Sequence, residues 1–300
     1  MEMKGAFLRE EEDRRVGLRW SRATVHSDNG EEVLIQLNNF IMQQAISEVI
    51  CMDLGFQLWN SPVTVTILLQ EVIAVYPNFL NSTLTMKESA RISNALIVFQ
   101  CMAYHPEARM WLLKANIPYY LYPFFQISTN VMKPLQFSIL SLIAALAELV
   151  QFDEQYGQDT LLSLLDTQVF PLCLHCIRYG DQPIRKVATL ILMKILMQEN
   201  GIKYCCALPS RCLSVIQVLH QLVDTFASEI PCSQQLKYVV QCYLSLSRVA
   251  WAGGVYERVR EMVPLQLIEN TFHNIIDQKD AEIPKMLNQL VRNLNHRPPQ

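Results

Sequence analysis

Glycine is scarce in this chain, with nine glycines among 300 residues. This is about half of what average usage gives, and closely spaced strands need more glycine than this for their tight turns. Windows rich in apolar residues, such as 140–149, carry them on nearly all sides, as helices covered by several neighbours do. The sequence therefore predicts an all-α fold.

The chain also lacks the short motifs of common catalytic chemistry. It contains no Gly-rich phosphate loop, no His-Glu-x-x-His and no Gly-x-Ser-x-Gly. Its carboxylate clusters at 10–13 and 153–154 fall in predicted solvent-exposed breaks, where no apolar surroundings would raise a carboxyl pKa for acid catalysis. We predict no catalytic residues, no cofactor and no enzyme activity.

Cysteine is present in an odd number, nine, and most cysteines lie in apolar helical windows. We interpret them as reduced core thiols rather than a disulfide framework. Cys173 and Cys176 have the Cys-x-x-Cys spacing, and the adjacent pair Cys205-Cys206 follows. A structural zinc site usually pairs two spaced motifs on turns, whereas this one lies in an apolar helical run. We predict no metal site.

No window reaches the eighteen or so apolar residues that are needed to span a bilayer. The longest candidate, residues 137–150, is shorter and contains Glu148. The N-terminus carries acidic residues and no hydrophobic signal core, which argues against secretion and organelle import. We expect no membrane partner and a cytoplasmic location, with the nucleus as a second compartment.

A short phrase recurs along the chain: a bulky apolar residue, a proline and an apolar run, at 117–121, 170–174 and 263–267. Proline fits the first turn of a helix, so each phrase is interpreted as the start of a helix. Other helix-like stretches recur at about the same step and lie at 94–103, 140–149, 187–197 and 239–248. Three helices per unit at a period in the forties is typical of an armadillo-type α-solenoid.

The domain boundaries follow from composition. Residues 1–31 mix acidic residues with arginine and predict a charged tail, whereas residues 297–300 are expected to fray. No Pro-rich or Gly/Ser-rich linker interrupts residues 32–296, which we take as one elongated armadillo-repeat domain. Within it, a helical period at Leu34, Leu37 and Ile41 predicts a reduced first cap.

A solenoid offers a long surface for peptides, helices or nucleic acid. The net charge of −3 gives no bulk attraction to polyanions, but a local groove could still be basic. Candidate contacts with nucleic acid are Arg178, Arg185 and Lys186, although we favour an ordinary solvated helix edge. The aromatic residues between 119 and 125 could stack on bases, but we interpret them as core.

Several spaced motifs between residues 54 and 294 carry a resemblance. They are Leu-Leu-Gln-Glu at 68–71, Val-Tyr-Pro at 75–77, Arg-Ile-Ser-Asn-Ala-Leu at 91–96, His-Pro-Glu-Ala-Arg at 105–109, Asn-Ile-Pro at 116–118, Pro-Leu-Cys-Leu at 171–174, Lys-Val-Ala-Thr at 186–189 and Leu-Lys-Tyr-Val-Val at 236–240. Together they resemble the "required for cell differentiation" family, which supplies the armadillo-repeat subunit of the CCR-NOT messenger-RNA deadenylase complex.

The resemblance implies a non-catalytic adaptor of six three-helix repeats that docks on the NOT scaffold. It would recruit regulatory proteins for deadenylation, decay and translational repression of messenger RNA, while other subunits shorten poly(A). Scaffold binding is implied for the early helices, here at Trp59, Thr66 and Ile73. Thr66 departs from the family pattern on that face, as does Pro62. Whether the chain forms a homodimer is left open.

Two further family surfaces are implied. A groove for short helical peptide motifs corresponds to Phe137, Ala144 and Val187, where Phe137 and Ala144 replace tyrosine and glycine. The added methyl is expected to narrow the groove, at the cost of about 1–3 kcal/mol typical of overpacking.

The other surface consists of pockets for tryptophans of silencing proteins. It corresponds to Pro209, Arg211 and Trp251, where a tyrosine and an arginine-bearing turn are lost. We therefore expect weak or absent tryptophan capture.

The leading hypothesis is thus an interaction protein, the armadillo subunit of a deadenylase complex. The alternative is a solenoid that binds RNA directly through a concave groove. Salt distinguishes the two, because phosphate contacts weaken steeply with salt whereas apolar peptide contacts do not.

Overall fold

The structure, a computed structural model, describes residues 30–44, 48–127, 129–148, 157–226, 228–229, 231–249, 255–269, 272 and 282–295. Those residues form helices and connecting turns, and no strand occurs among them, so the predicted all-α class is confirmed. The predicted charged tail, apart from its last two residues, and the predicted frayed C-terminus lie outside the described residues. The chain divides into two compact units, residues 1–164 and 165–300.

Unit 1 is organised around one long helix, α5. Its elements are α1 (Gly30–Gln44), α2 (Glu48–Trp59), α3 (Pro62–Ala74), α4 (Tyr76–Leu80), α5 (Met86–Tyr104), α6 (Pro106–Lys114), the 3-10 helices η1 (Ile117–Tyr120) and η2 (Tyr122–Phe125), α7 (Met132–Leu146) and α8 (Gly157–Leu165), which ends at the unit boundary. Helices α1, α2, α3, α6 and α7 all pack against α5. The predicted first cap is α1, which buries Leu34, Leu37 and Ile41.

Helix α5 begins at a capping box. The Glu88 backbone N–H donates to Thr85 Oγ1 at 3.2 Å, and the Thr85 N–H donates to Glu88 Oε2 at 2.8 Å. The Thr85 backbone hydrogen bond is the main cause that lowers the pKa of Glu88. Cap and carboxylate together satisfy two backbone donors that a bare helix start would leave unpaired. Pro106 ends this run of helix and opens α6 in its first turn.

Glycine is required where α2 crosses α5. A Cβ placed on Gly55 would lie 2.3 Å from the carbonyl oxygen of Cys101. Because carbon and oxygen cannot approach so closely without contact repulsion, the two helices pack at this distance only with glycine at position 55.

In unit 2, helices pack on the adjacent helix and on the helix about one repeat further along. Its elements are α9 (Val169–Tyr179), α10 (Gln182–Leu196), α11 (Glu199–Cys206), α12 (Pro209–Thr225), α13 (Ser233–Val249), α14 (Val255–Met262), α15 (Leu265–Ile268) and α16 (Glu282–Asn295). Helix α10 packs on α9 and α13, and α13 packs on α16. Asp181 caps α10 by accepting a hydrogen bond from the Ile184 N–H at 3.3 Å.

Side-chain hydrogen bonds join residues about one repeat apart in both units. The pairs are Ser89 with Val131, Tyr76 with Tyr120, Arg185 with Glu229, His220 with Met262 and Ser247 with Asn293, separated by 42 to 46 residues. This spacing agrees with the predicted period in the forties and with an α-solenoid. The number of repeats stays a prediction.

Two of the three recurring proline phrases mark the start of an α-helix, and the third marks the start of a 3-10 helix. Pro171 lies in the first turn of α9, and Pro264 precedes α15. Pro118, however, opens the short 3-10 helix η1 rather than an α-helix. The chain enters η1 through Asn116 in the left-handed region, with φ of 56°, and η2 begins after a single intervening residue, Leu121.

This geometry corrects the interpretation of the aromatic run as core. Phe124 and Tyr122 are buried, but Tyr119 and Tyr120 are 43% and 38% exposed. A 3-10 helix of one turn presents only one side to the protein, so two of its four residues point outward. Helix α7 ends at Leu146, earlier than the predicted stretch to 149.

Candidate functional site

Helix α3 exposes one stripe of side chains in unit 1. It buries Leu68 and Val72, while Val63 and Ile73 are 43% and 45% exposed. Thr66 is exposed on the same side as Ile73, one heptad earlier. The structure therefore brings two of the three residues implied for scaffold binding onto one helix face. We call Val63, Thr66 and Ile73 the α3 face.

Trp59, the third implied scaffold residue, is the last residue of α2 and only partly exposed. The turn to α3 follows directly, with Ser61 in an extended conformation before the helix. On α3, the Glu71 carboxylate forms an ion pair with Arg91 of α5. This contact holds one flank of α3 against its neighbouring helix.

Helix α4 continues the exposed apolar surface. Phe79 is buried and packs edge-on against Phe124 with ring centroids 5.0 Å apart. Tyr76 donates a hydrogen bond to the Tyr120 carbonyl at 2.5 Å, and burial raises the pKa of its hydroxyl. These contacts hold α4 on η1 and η2, while Leu80 is left 73% exposed. Sequence periodicity did not identify Leu80, because a five-residue helix is too short to show one.

The segment Val63–Leu80 is also 18 residues long and apolar enough to cross a membrane by length and composition, with 28% of it buried. Two bent helix pairs pass the same test only when each pair is joined. This corrects the expectation that no window is long enough. The segment has threonine, Gln70, Pro77 and Asn78 among its apolar residues but only one charge, Glu71, so its mean hydropathy stays high enough.

The residues implied for the peptide groove divide between the units. In unit 1, Phe137 is 42% exposed on α7, and Ala144 lies one heptad later on the same face but is only 8% exposed. Between them, Ser141 donates its hydroxyl to the Phe137 carbonyl at 2.9 Å. In unit 2, Val187 is partly exposed on α10.

Of the residues implied for tryptophan capture, Trp251 lies outside the described residues. Pro209 is exposed at the start of α12. The Arg211 guanidinium lies 3.8 Å from the ring centroid of Tyr204 and donates to the Tyr204 carbonyl. The cation of Arg211 is therefore engaged within unit 2.

The candidate nucleic-acid contacts also have partners in unit 2. Arg178 is exposed and donates from Nε to Gln221 at 3.0 Å. The Arg185 side chain is only 12% exposed and pairs with Glu229 at 2.6 Å. Lys186 is partly exposed beside it. Two of these three cations therefore link helices one repeat apart rather than forming an open basic groove.

Cys173 and Cys176 lie on successive turns of α9, and both are buried as predicted for core thiols. Burial raises the pKa of Cys176 to about 12, so this thiol stays protonated at neutral pH. Sequence reasoning missed Cys212, which the fold brings beside Cys205 and Cys206. The Cys-Cys-x5-Cys spacing across a predicted helix break was the available signal.

Helices that pack on their sequence neighbours, with hydrogen bonds between successive repeats, define the class of α-solenoid proteins. Within that class, the chain belongs to the cell differentiation family, Rcd1-like, which matches residues 23–294. The family membership indicated by the spaced motifs is thereby confirmed.

Two relatives show how much of the chain is similar. It is 34% identical over 280 residues to Cell differentiation protein rcd1 of Schizosaccharomyces pombe, covering 92% of each chain. It is also 34% identical over 243 residues to Protein CAF40 of Saccharomyces cerevisiae, covering 81% of this chain and 63% of that relative.

Proposed function

We propose that this protein is a non-catalytic adaptor subunit of a CCR-NOT deadenylase complex. It would dock on the NOT scaffold and recruit regulators that act in messenger-RNA deadenylation, decay and translational repression. Family membership supports the proposal. The compartments that this role implies are the cytoplasm and, secondarily, the nucleus.

The observation that carries the docking step is the exposed apolar surface of α3 and α4. Val63, Ile73 and Leu80 together expose large aliphatic side chains on consecutive helices. Clustered exposed apolar side chains are typical of a protein-interaction site rather than of a surface facing water. An amphipathic helix that lays its apolar face on such a surface would bury them.

The α7 face that carries Phe137 and Ala144 would form a groove that receives helical motifs of regulatory proteins. Exposure of the Phe137 ring favours this role, because aromatic side chains are frequent anchors of interfaces. Ala144 offers little surface of its own, which fits a groove floor rather than a wall.

Direct RNA binding has weaker support. Arg185 is largely buried and paired with Glu229, and Arg178 is bonded to Gln221. An RNA phosphate that binds either arginine would first have to break the existing contact. The loss of that contact offsets the free energy gained from the new one.

The test is a calorimetric titration of the full chain with the helical segment of the NOT scaffold, at low and high salt. We expect saturable binding at micromolar concentration or tighter, with little dependence on salt. A parallel titration with single-stranded poly(A) RNA should give no specific binding. Absence of scaffold binding at high micromolar concentration would reject docking, and RNA binding that falls steeply with salt would favour the alternative.

A further inference from the structure

Three thiols meet at the corner between α11 and α12. The Sγ atoms of Cys205, Cys206 and Cys212 all lie within 4.8 Å of one another. Cys205 and Cys206 are the last two residues of α11, and Cys212 is the fourth residue of α12. Cys205 and Cys212 are fully buried, and Cys206 is partly exposed.

The fold produces this cluster through a sharp bend. Helices α11 and α12 meet at 104°, with only two residues between them. The Cys212 N–H donates to the Leu208 carbonyl at 3.2 Å, which starts α12 immediately after the turn. Residues six and seven apart in sequence are thereby brought face to face across the corner.

The corner is held by close packing on both sides. A Cβ on Gly201 would lie 1.9 Å from the Ile195 carbonyl oxygen, so α11 lies directly against the end of α10. The Tyr204 ring packs edge-on against Phe170 at 5.6 Å and stacks beneath Arg211 at 3.8 Å. The backbone that carries the three thiols is therefore fixed before any ligand arrives, as a preorganised site requires.

We propose that Cys205, Cys206 and Cys212 form a three-thiolate site for a soft metal ion, Zn²⁺ or Cu(I). Cysteine sulfur is the ligand that both ions favour. Tetrahedral zinc with Zn–S bonds of about 2.3 Å separates its sulfurs by about 3.8 Å. The three sulfurs already approach within 4.8 Å, so small side-chain rotations close the site.

Binding would release to solvent the proton of each thiol that still carries one, and each sulfur would donate an electron pair to the ion. No oxidant or reductant is needed, because neither ion changes its oxidation state. Cys206 lies at the accessible side and gives the ion its entry.

The number of ligands distinguishes the two ions. Within the described part of the chain, the cluster contains no fourth histidine, cysteine or carboxylate. Zn²⁺ would complete its four-coordinate shell with water, whereas Cu(I) would be bound by the three thiolates alone. This site goes beyond the proposed adaptor role. It also differs from the prediction of no metal site, which considered Cys205-Cys206 only as a partner of the Cys173–Cys176 motif and not together with Cys212.

The α9 thiols provide an internal contrast. Cys173 and Cys176 have the spacing typical of zinc motifs, yet both lie on the single helix α9 and are buried. They join no group of three possible ligands among the described residues. The site is thus assigned by geometry across the corner and not by the Cys-x-x-Cys pattern.

The test uses the full chain, purified, reduced and then desalted under nitrogen so that no reductant remains to bind the metal. Zn²⁺ is titrated against a chromophoric chelator, and Cu(I) against a Cu(I)-specific chelator under nitrogen. Cobalt(II) is used as a spectroscopic probe, because thiolate ligation gives intense charge-transfer absorption. We expect one Zn²⁺ or one Cu(I) per chain, and the arm with the tighter binding identifies the ion.

The variant Cys206→Ser removes the partly exposed ligand with the least effect on the core. Loss of a single outer partner of a metal ligand typically lowers affinity 10- to 100-fold, so loss of this ligand should lower it by at least about 10-fold. Cys232→Ser serves as the matched control, because Cys232 is exposed and outside the cluster. It should bind the ion like wild type.

Thermal unfolding gives a second readout. The ion should raise the unfolding midpoint of wild type and Cys232→Ser, since it binds the folded chain, but not that of Cys206→Ser. The proposal is overturned if the reduced chain takes up neither ion, if Cys206→Ser binds as tightly as wild type, or if Cys232→Ser loses the ion. Circular dichroism of Cys206→Ser confirms that the loss is not unfolding.

Discussion

The two units use the same helix-on-neighbour packing but present different surfaces. Unit 1 leaves Ile73 and Leu80 exposed along α3 and α4. Hydrogen bonds such as Ser89 to Val131 link repeats in unit 1, and unit 2 adds ion pairs, Arg185 to Glu229 and Lys237 to Glu282. Unit 2 also exposes Met197, Leu208 and Leu265, but these lie at the ends of three different helices rather than along one helix face. The same kind of packing can therefore leave an apolar face on one helix and place charged links between repeats elsewhere.

The largest effect is expected when a charge is placed on the α3 face, because this is the surface that unit 2 does not share. Ile73→Asp should weaken binding of the NOT scaffold segment by at least about 30-fold, the equivalent of a ~2 kcal/mol hot spot. The cause is burial of an unpaired carboxylate in an apolar interface. Calorimetric titration measures the loss.

The matched control lies in unit 2. Leu265 is 65% exposed, so Leu265→Asp introduces the same charge at an even more exposed aliphatic position. It should leave scaffold binding unchanged. Equal losses in both variants would mean that the α3 face has no special role in docking.

A second prediction tests what the units share. Gly55→Ala in unit 1 and Gly201→Ala in unit 2 each force a methyl against a carbonyl oxygen, of Cys101 and Ile195 respectively. Each should lower the free energy of unfolding by about 1–3 kcal/mol through overpacking. Urea denaturation measures the change.

The control for this pair is Ser210→Ala, at an exposed position of α12. It should change stability by no more than about 0.5 kcal/mol, as surface substitutions usually do. A glycine variant as stable as the wild type would show that the helices can separate without cost at that crossing.

The smallest effect concerns the polar links of unit 2. Glu229→Gln removes the charge that faces Arg185, whose side chain is mostly buried while Glu229 is 54% exposed. We expect a loss of about 0.2–1 kcal/mol, which shrinks further in high salt. Denaturation at two salt concentrations measures it.

The exposed pair Lys203–Glu199 on α11 gives the reference for this measurement. Glu199→Gln should change stability only slightly, because solvent screens an exposed pair on a helix surface. If Glu229→Gln cost no more than Glu199→Gln, the link between repeats would contribute nothing beyond an ordinary surface pair.

Much of the fold could be predicted because apolar periodicity is local. The stretches 94–103 and 239–248 lie inside α5 and α13, and 187–197 extends one residue past the end of α10. The repeat step follows from their spacing. Such patterns reflect which side of a helix is buried, and this leaves a mark in the sequence itself.

The interaction surfaces were harder to predict because they depend on neighbours far along the chain. Periodicity does not reveal that Arg185 forms an ion pair with Glu229, or that the Leu80 side chain is left exposed. Likewise, Cys212 meets Cys205 only because α11 and α12 bend sharply at Leu208. The direction of a turn decides each of these contacts, and turn direction is weakly encoded in composition.

The hydrogen bonds between residues 42 to 46 apart have a consequence for how the chain reaches this structure. Each new helix needs to find only a partner made shortly before it, so the search closes short loops rather than long ones. Chains with such local topology fold quickly, and folding can begin at any repeat and spread to the next. During synthesis, the earlier helices can therefore be in place before the later ones leave the ribosome.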